Sequence, residues 1–389
     1  MKKLLIYLAV TVGLSAILAV VSRFSTSFSE WYSMNIYRFF VGTVGRFFGF
    51  FSFSAGEFYL IFVLLVLLGG LVFAIVKTAR SKGKRRRVLA ISAVAASCIG
   101  ATLFLQYMLL CGINYNRQAF LYIEHSTGEI SFERTPEDEL RVFLHMLAEF
   151  EEAFPDLENQ ITTDANGFFV KTSDVSETAP AAMANLAKAF PRLDVRFSQP
   201  KPVRLFAELM SDAFIIGIYW PYTLEANYNS IAPDSERGIT ALHELVHTAG
   251  FMRENEANFI AFLAARESGD AELMYSGYLF AFEMMIRNIA DEFTAAAMRE
   301  MLPGQMHRDR ENQRNFWLGR LHSVDVVFDS EGEVIDTIVS ENPVAGAIQD
   351  ASSSMNDLFL RVQGQEGTVS YSRMIDLLYA TELARIDSE

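Results

Sequence analysis

The stretch "ALHELVHTAGFMRENEANF", residues 241–259, contains two of the six histidines of the chain, four positions apart. Apolar residues recur here at helical spacing, and Asp234 or Ser235 upstream provides a helix cap. Gly250 stands where this helix should end, because glycine accepts the left-handed backbone that closes many helices. A second helix is expected to begin at Glu254. The stretch therefore predicts two helices that meet at a tight turn.

His243 and His247 occupy positions i and i+4, so on a helix their imidazoles project from one face about one turn apart. That spacing lets two ring nitrogens reach one tetrahedral Zn²⁺. Glu244 follows the first histidine and can take a proton from a water molecule that the zinc activates. The pattern H-E-x-x-H thus predicts hydrolysis with Glu244 as general base. The alternative is two surface histidines on an amphipathic helix.

A catalytic zinc needs a third protein ligand and keeps one position open for water. Arg253 stands where a metzincin would have a third histidine, which disfavours that class. The next string, E-x-x-A-N, resembles the gluzincins, especially repressor-cleaving peptidases of the ImmA type; HtpX-like membrane peptidases use the related E-x-x-A-D. The resemblance implies that Glu254 is the third zinc ligand and that Asn258 is an outer partner near a ligand histidine. Glu256 faces away from Glu254 on a helix and is the weaker ligand candidate.

Peptide hydrolysis also requires a donor for the developing oxyanion. Tyr275 and Tyr278 are the candidates, although aromatic packing on an apolar helix is the more common reason for a tyrosine at either position. Residues 217–229, "GIYWPYTLEANYN", predict a hairpin. Either its edge pairs with an extended substrate, or the hairpin is simply part of the core. His145 lies alone in a predicted helix over 136–154 and is a weak ligand candidate.

Three stretches near the amino terminus are long and apolar enough to cross a bilayer, at about 4–21, 58–76 and 88–112. None contains a charged residue, which is unusual for a buried core helix. We therefore predict a helical membrane region over 1–112, followed by an α+β, zincin-like domain over 113–389 that is mainly helical with a small sheet.

Two points in the membrane region stay open in the sequence. The first span, preceded by two lysines, also fits a signal peptide, but no small-x-small cleavage site follows it, so an uncleaved anchor is preferred. The aromatic-rich segment between the first two spans is either an interfacial amphipathic segment or a re-entrant loop.

Charge is distributed unevenly along the chain. Up to Gly112 there are 12 Lys+Arg against 2 Asp+Glu, whereas the remainder has 21 against 45. The second part therefore lacks the basic footprint of a nucleic-acid-binding protein. Seven basic residues in 77–87 predict that this loop is cytoplasmic, which places the amino terminus inside and the domain outside the cell. Both cysteines, Cys98 and Cys111, lie in the third span, so the exported domain has no disulfide.

Further strings resemble an uncharacterised family of bacterial membrane proteins, namely "FSFSAGEFYL", "CGINYNR", "GIYWPYTLEANYN", "YSGYL" and "YSRMIDLLYA". That family has three amino-terminal membrane helices and an exported H-E-x-x-H domain. The likeness covers most of the chain and implies the same architecture, although family members tend to have Trp at the position of Cys111.

These patterns together predict a membrane-anchored zinc peptidase of gluzincin type that acts on a peptide or protein substrate. The alternative is a zinc-containing sensor or binding protein for a cell-envelope or peptide ligand. A retained Glu244 favours the enzyme, since a pure binder has no need of the base. A purely structural zinc is disfavoured because only three protein ligands are visible. The oligomeric state does not follow from the sequence.

Overall fold

The computed structural model describes residues 1–81, 83–121, 135–328, 334–371 and 373–388. Three of its helices, α1 (Lys2–Phe24), α5 (Ala55–Arg80) and α6 (Arg85–Leu110), are long and apolar enough to cross a membrane. Nearly all of their apolar windows remain unburied by the rest of the protein. α6 packs against both α1 and α5. The three apolar stretches predicted from the sequence are therefore confirmed as helices.

The segment between α1 and α5 is helical over residues 26–49, and we call it the connecting helix. It consists of α2 (Thr26–Tyr32), a π-helical turn (Ser33–Tyr37), α3 (Arg38–Phe40), a second π-helical turn (Val41–Gly45) and α4 (Arg46–Gly49). Apart from Tyr32, its buried residues recur at every fourth position: Ser29, Ser33, Tyr37, Val41 and Gly45. A row with that spacing would wind around a regular helix of 3.6 residues per turn, but wider π turns keep it on one face.

The rest of the chain is mostly helical. Its helices are α7 (Pro136–Ala153), α8 (Leu157–Gln160), α9 (Val175–Ala189), α10 (Ala207–Asp212), α11 (Asp234–Thr248), α12 (Glu254–Arg266), α13 (Ala271–Arg287), α14 (Glu292–Glu300), α15 (Gly304–Leu321), α16 (Pro343–Val362) and α17 (Met374–Ile386). The strands are β1 (Thr162–Thr163), β2 (Phe169–Val170), β3 (Lys201–Val203), β4 (Gly217–Trp220), β5 (Glu225–Asn229), β6 (His322–Phe328) and β7 (Val334–Glu341). The prediction of a mainly helical region with a little sheet is confirmed.

A three-stranded sheet lies against α11 in the order β3-β5-β4. β3 runs parallel to β5, and β4 runs antiparallel to it, with Gly217 opposite Tyr228 and Trp220 opposite Glu225. The predicted hairpin is therefore present, and β4 is an edge strand of this sheet. β1 with β2 and β6 with β7 form separate antiparallel pairs.

Two hydrophobic cores hold the chain together. The larger one is built from α7, α9, α11, α12, α13 and α17. The smaller one joins Tyr37 of the connecting helix, Leu110 at the end of α6, and Tyr219, Leu224 and Met252 from the later chain. Packing is therefore continuous across residue 112, the predicted domain boundary. The connecting helix packs on the later part of the chain, and this contact gives it its buried face.

Candidate metal centre

The turn between α11 and α12 brings the H-E-x-x-H and E-x-x-A-N strings together. α11 ends at Thr248, α12 begins at Glu254, and Gly250 between them has φ +87°. A Cβ at this glycine would lie 2.9 Å from Oγ of Ser33 in the connecting helix. Glycine is thus required at this position for its backbone conformation and for space. The two predicted helices and their turn are confirmed.

The donor atoms of His243, His247 and Glu254 face one another. The two Nε2 atoms are 3.1 Å apart, and Oε2 of Glu254 lies 3.2 Å from Nε2 of His243 and 3.7 Å from Nε2 of His247. Ligands placed tetrahedrally around Zn²⁺ at its usual bond lengths are about 3.3–3.5 Å apart. The triangle of donors therefore has the size and the composition that suit one zinc ion.

A backbone carbonyl sets the orientation of His247. Its Nδ1 lies 2.8 Å from the carbonyl oxygen of Phe251, so Nδ1 must carry the proton in this hydrogen bond. In the neutral ring, Nε2 then presents its lone pair to the cluster, as a metal-bound histidine does. Phe251 occupies this place because the tight turn after α11 folds its carbonyl back toward the helix.

The cluster favours a positive charge at its centre. Burial alone would raise the pKa of Glu254, but the two histidines lower it to about 2. Burial would likewise lower the pKa of His247, whereas the Glu254 and Glu244 carboxylates raise it to about 9. Oε2 of Glu254 has no hydrogen-bond partner among the described residues. A buried carboxylate oxygen that faces two imidazoles is a fitting ligand for a cation.

Glu244 lies beside the cluster, where α11 faces β4. Burial raises the pKa of its carboxyl to about 7, and the neighbouring histidines oppose that rise. Its Oε2 has no hydrogen-bond partner in the described parts of the chain. A Cβ at Gly217 of β4 would come within 2.5 Å of the other oxygen, Oε1. The missing side chain at Gly217 is therefore what allows this carboxylate to sit between the helix and the edge strand.

The two tyrosines predicted to stabilise an oxyanion lie elsewhere. The hydroxyl of Tyr275 donates to Oδ2 of Asp309 at 2.5 Å, and its ring stacks on Phe169 at 5.0 Å. Tyr278 packs among phenylalanines, including Phe262 at 5.7 Å. Both side chains project from α13 into the larger core. These contacts are with the core and not with the cluster, because the periodicity of an apolar helix identifies a buried face and not the neighbours of that face.

Tyr371 is a tyrosine that the structure does bring to the cluster. It ends a 3₁₀ turn, Gly367–Tyr371, and is a neighbour of Glu254 and Glu244. Burial, followed by the charge of Glu254, raises the pKa of its hydroxyl well above the usual range, so the hydroxyl keeps its proton. Sequence reasoning missed this residue because it lies far along the chain and no motif spacing connects it to α11.

Among the described residues, the hydrogen bond recorded for the Asn258 side chain goes to Tyr371 and not to a histidine. Its Nδ2 donates to the backbone carbonyl of Tyr371 at 3.1 Å. The outer partner found for His247 is the Phe251 carbonyl. Glu256 points away from the cluster, where it accepts from the Phe120 backbone N–H at 2.7 Å and pairs with Arg253. The prediction that Glu256 is the poorer ligand candidate therefore agrees with the contacts.

The fold and this cluster define a helical protein with three membrane-length apolar helices and a buried His–His–Glu centre. A family model described as protein of unknown function (DUF3810) matches residues 32–379, and the chain belongs to that family. The match covers most of the chain, including most of the connecting helix and the whole cluster. No curated protein and no solved structure matches the chain.

Proposed function

We propose that this protein is a membrane-anchored, zinc-dependent peptidase with His243, His247 and Glu254 as zinc ligands. The observation that carries the proposal is the triangle of inward-facing donors, 3.1–3.7 Å apart, next to the buried carboxylate of Glu244. These are the residue types and distances of a three-ligand zinc site with one position left for water. The zincin-like character of the domain is part of the same proposal.

Each group near the cluster has one role in the proposed peptide hydrolysis. Zinc, when bound, supplies a Lewis acid that polarises water and the peptide carbonyl. Glu244 accepts a proton from the attacking water and passes it to the leaving amine, and a carboxyl with a pKa near 7 suits both directions. Tyr371, which stays protonated, donates a hydrogen bond to the developing oxyanion.

The edge of β4 supports the binding of an extended substrate. Among the described residues, β4 pairs with β5 alone, so its other edge offers backbone hydrogen bonds, apart from the Tyr219 N–H, which binds Glu244. Gly217, the first residue of β4, lies against Glu244, so a chain added along this edge passes the general base. Strand addition of this kind gives affinity through the backbone and tolerates varied side chains.

The placement of the domain in the cell is also a proposal. The loop between α5 and α6 contains seven basic residues, and such loops remain in the cytoplasm. α5 and α6 run antiparallel from this loop to the region that carries the metal cluster. The catalytic region then lies on the opposite, extracytoplasmic side of the membrane.

The decisive experiment combines metal analysis with peptide hydrolysis by the purified full chain. We expect about one zinc per chain, and cleavage of a peptide library that stops when a chelator is added. Glu244→Gln should retain zinc but lose about 10²- to 10⁴-fold in rate, the usual contribution of a general base. Unchanged hydrolysis in that variant would contradict the mechanism. Ligand binding without any cleavage would support the alternative of a zinc-containing sensor.

A further inference from the structure

Side chains typical of a membrane interface mark where the spans meet the rest of the protein. The hydroxyl of Tyr59 in α5 donates to Oε1 of Gln106 in α6 at 3.3 Å. Tyr107 follows Gln106, and the ring of Tyr59 stacks on Tyr222 beyond β4 at 5.1 Å. Tyrosine is enriched at the headgroup level of membrane proteins. The surface of the bilayer on this side therefore lies near Tyr59 and Tyr107.

The metal cluster lies directly above the end of α6. Cys111 comes four residues after Tyr107, which is about 6 Å along a helix. Its Sγ lies 3.8 Å from Sδ of Met252, two residues before the ligand Glu254. The hydroxyl of Tyr219 in β4 donates to the carbonyl of Leu110 at 3.1 Å. Both walls of the site, the start of α12 and the edge strand, thus rest on the end of a membrane helix.

The connecting helix supports the site from the same level. Tyr37 donates to the carbonyl of His247 at 3.2 Å, at the end of the helix that carries both histidines. The connecting helix is about 36 Å long, and only residues 50–54 join it to α5. Those residues reach at most about 20 Å, so the helix cannot stand upright on the bilayer. It lies along the surface, with Trp31, Phe39 and Phe47 exposed on its outer side.

The edge strand leads from the site to the membrane. Gly217 lies against Glu244, and the ring of Trp220 covers Gly56 at the start of α5, where a Cβ would meet it at 2.8 Å. These two strand residues are about 10 Å apart. The contact is locked, because the Glu225 carboxylate accepts the backbone N–H groups of Ala55 and Gly56 at 3.2 and 2.8 Å.

A second carboxylate strengthens the same junction from the membrane side. Glu57 of α5 accepts backbone N–H groups from Leu205 and Phe206 at 2.7 and 3.0 Å. Glu225 of the sheet thus binds the start of α5, Glu57 of α5 binds the segment that follows β3, and both glutamates are buried. The height of the metal cluster above the bilayer is therefore set by the fold.

We infer that the substrate is a polypeptide anchored in the same membrane and cut close to its anchor; this inference rests on the proposed peptidase activity. A chain paired with β4 advances about 3.3 Å per residue, so about three residues cover the 10 Å from Gly217, which lies against Glu244, to Trp220, which covers the start of α5. The scissile bond then lies roughly three to six residues from the end of the anchor. A folded domain cannot enter so narrow a gap, whereas an extended juxtamembrane segment fits it.

The test uses the full chain in liposomes and synthetic peptides with a random ten-residue region. Each peptide carries a lipid anchor, attached directly or through a Gly-Ser spacer of about 6 or about 12 residues, and a matched set has no anchor. Products are identified by mass spectrometry. Because tethering raises the effective concentration for any membrane enzyme, the position of the cut relative to the anchor is the primary measurement.

We expect cuts within the first few residues from the anchor, and at least a tenfold loss of cleavage in the random region with the longest spacer. Glu244→Gln should abolish every cut. Cleavage of the unanchored set at the same rate, or cut sites that ignore spacer length, would overturn the anchored-substrate inference while leaving the peptidase intact. No Glu244-dependent cleavage of either set, in protein that holds zinc, would overturn both.

Discussion

Two clusters in this protein contain the same kinds of residue but differ in their surroundings. In the metal cluster, His243 and His247 on α11 meet Glu254 from α12. In the second cluster, His145 and Glu149, also four residues apart on one helix, meet Glu382 from α17. In each case the candidate donor atoms lie within 4.8 Å of one another. Residue type and spacing alone therefore do not separate them.

The charges around the two clusters separate them. Glu382 accepts from Arg266 at 2.6 Å and from Arg385 at 2.9 Å, and Arg385 also binds Glu149. Two guanidinium groups thus already balance two carboxylates. In the described part of the chain, the recorded ion-pair partners of Glu254 are the two histidines. A cation added to the second cluster would meet positive charge, whereas one added to the first would complete it.

The largest difference between the clusters should appear on removing Glu254. Loss of an outer partner costs 10- to 100-fold in metal affinity, and loss of a ligand should cost more. Glu254→Ala is therefore expected to lower the zinc content from about one per chain to nearly none, measured by elemental analysis after dialysis. Zinc retained by this variant would mean that another residue is the third ligand.

The next effect concerns the Tyr371 hydroxyl. This neutral group lies beside the metal cluster, whereas arginines lie beside the second cluster. Tyr371→Phe should lower kcat by about 10²- to 10³-fold, as loss of an oxyanion donor does, while KM and zinc content change little. Tyr278→Phe is the matched control, because that tyrosine is packed in the core, and its kcat should stay at the wild-type value. If the two variants had equal kcat values, Tyr371 would have no role in catalysis and would be a structural residue.

Breaking the second cluster should affect stability and leave metal content unchanged. Glu382 is fully buried, so Glu382→Gln leaves the largely buried Arg266 with only the exposed Glu267 as its ion-pair partner. We expect a loss of about 3–5 kcal/mol in the free energy of unfolding, measured by denaturation of the full chain in detergent. Arg287→Gln removes a long, exposed pair with Glu283 and should cost less than about 1 kcal/mol. Similar losses for the two variants would refute the buried-pair explanation.

The smallest effect is expected for His145. If the arginines already satisfy the second cluster, His145→Ala should leave the zinc content unchanged and cost about 1 kcal/mol or less in stability. A drop of one zinc per chain in this variant, with His243 and His247 intact, would show that the second cluster also binds metal. The paired measurement on Glu254→Ala makes the two results directly comparable.

Much of the architecture could be predicted because it depends on local patterns. Uncharged apolar runs of about 20 residues identify α1, α5 and α6 without any partner. The structure of the connecting helix was harder to predict. Its two alternatives, an interfacial amphipathic segment and a re-entrant loop, differ only in what covers the segment. Its buried row at every fourth residue becomes a single face only with two π turns, and those turns accompany packing on Tyr219 and Leu224.

By itself, the sequence determined the three membrane-length apolar helices, the helix that carries His243 and His247, and the turn at Gly250. Each of these depends on spacing within one or two turns of helix. The tertiary structure alone placed Tyr371 beside Glu254, buried Tyr275 and Tyr278 in the core, and gave Glu382 its arginines. Such contacts join residues far apart in the chain, where no spacing rule applies. The electrostatic balance that distinguishes the two clusters exists only after folding has brought the charges together.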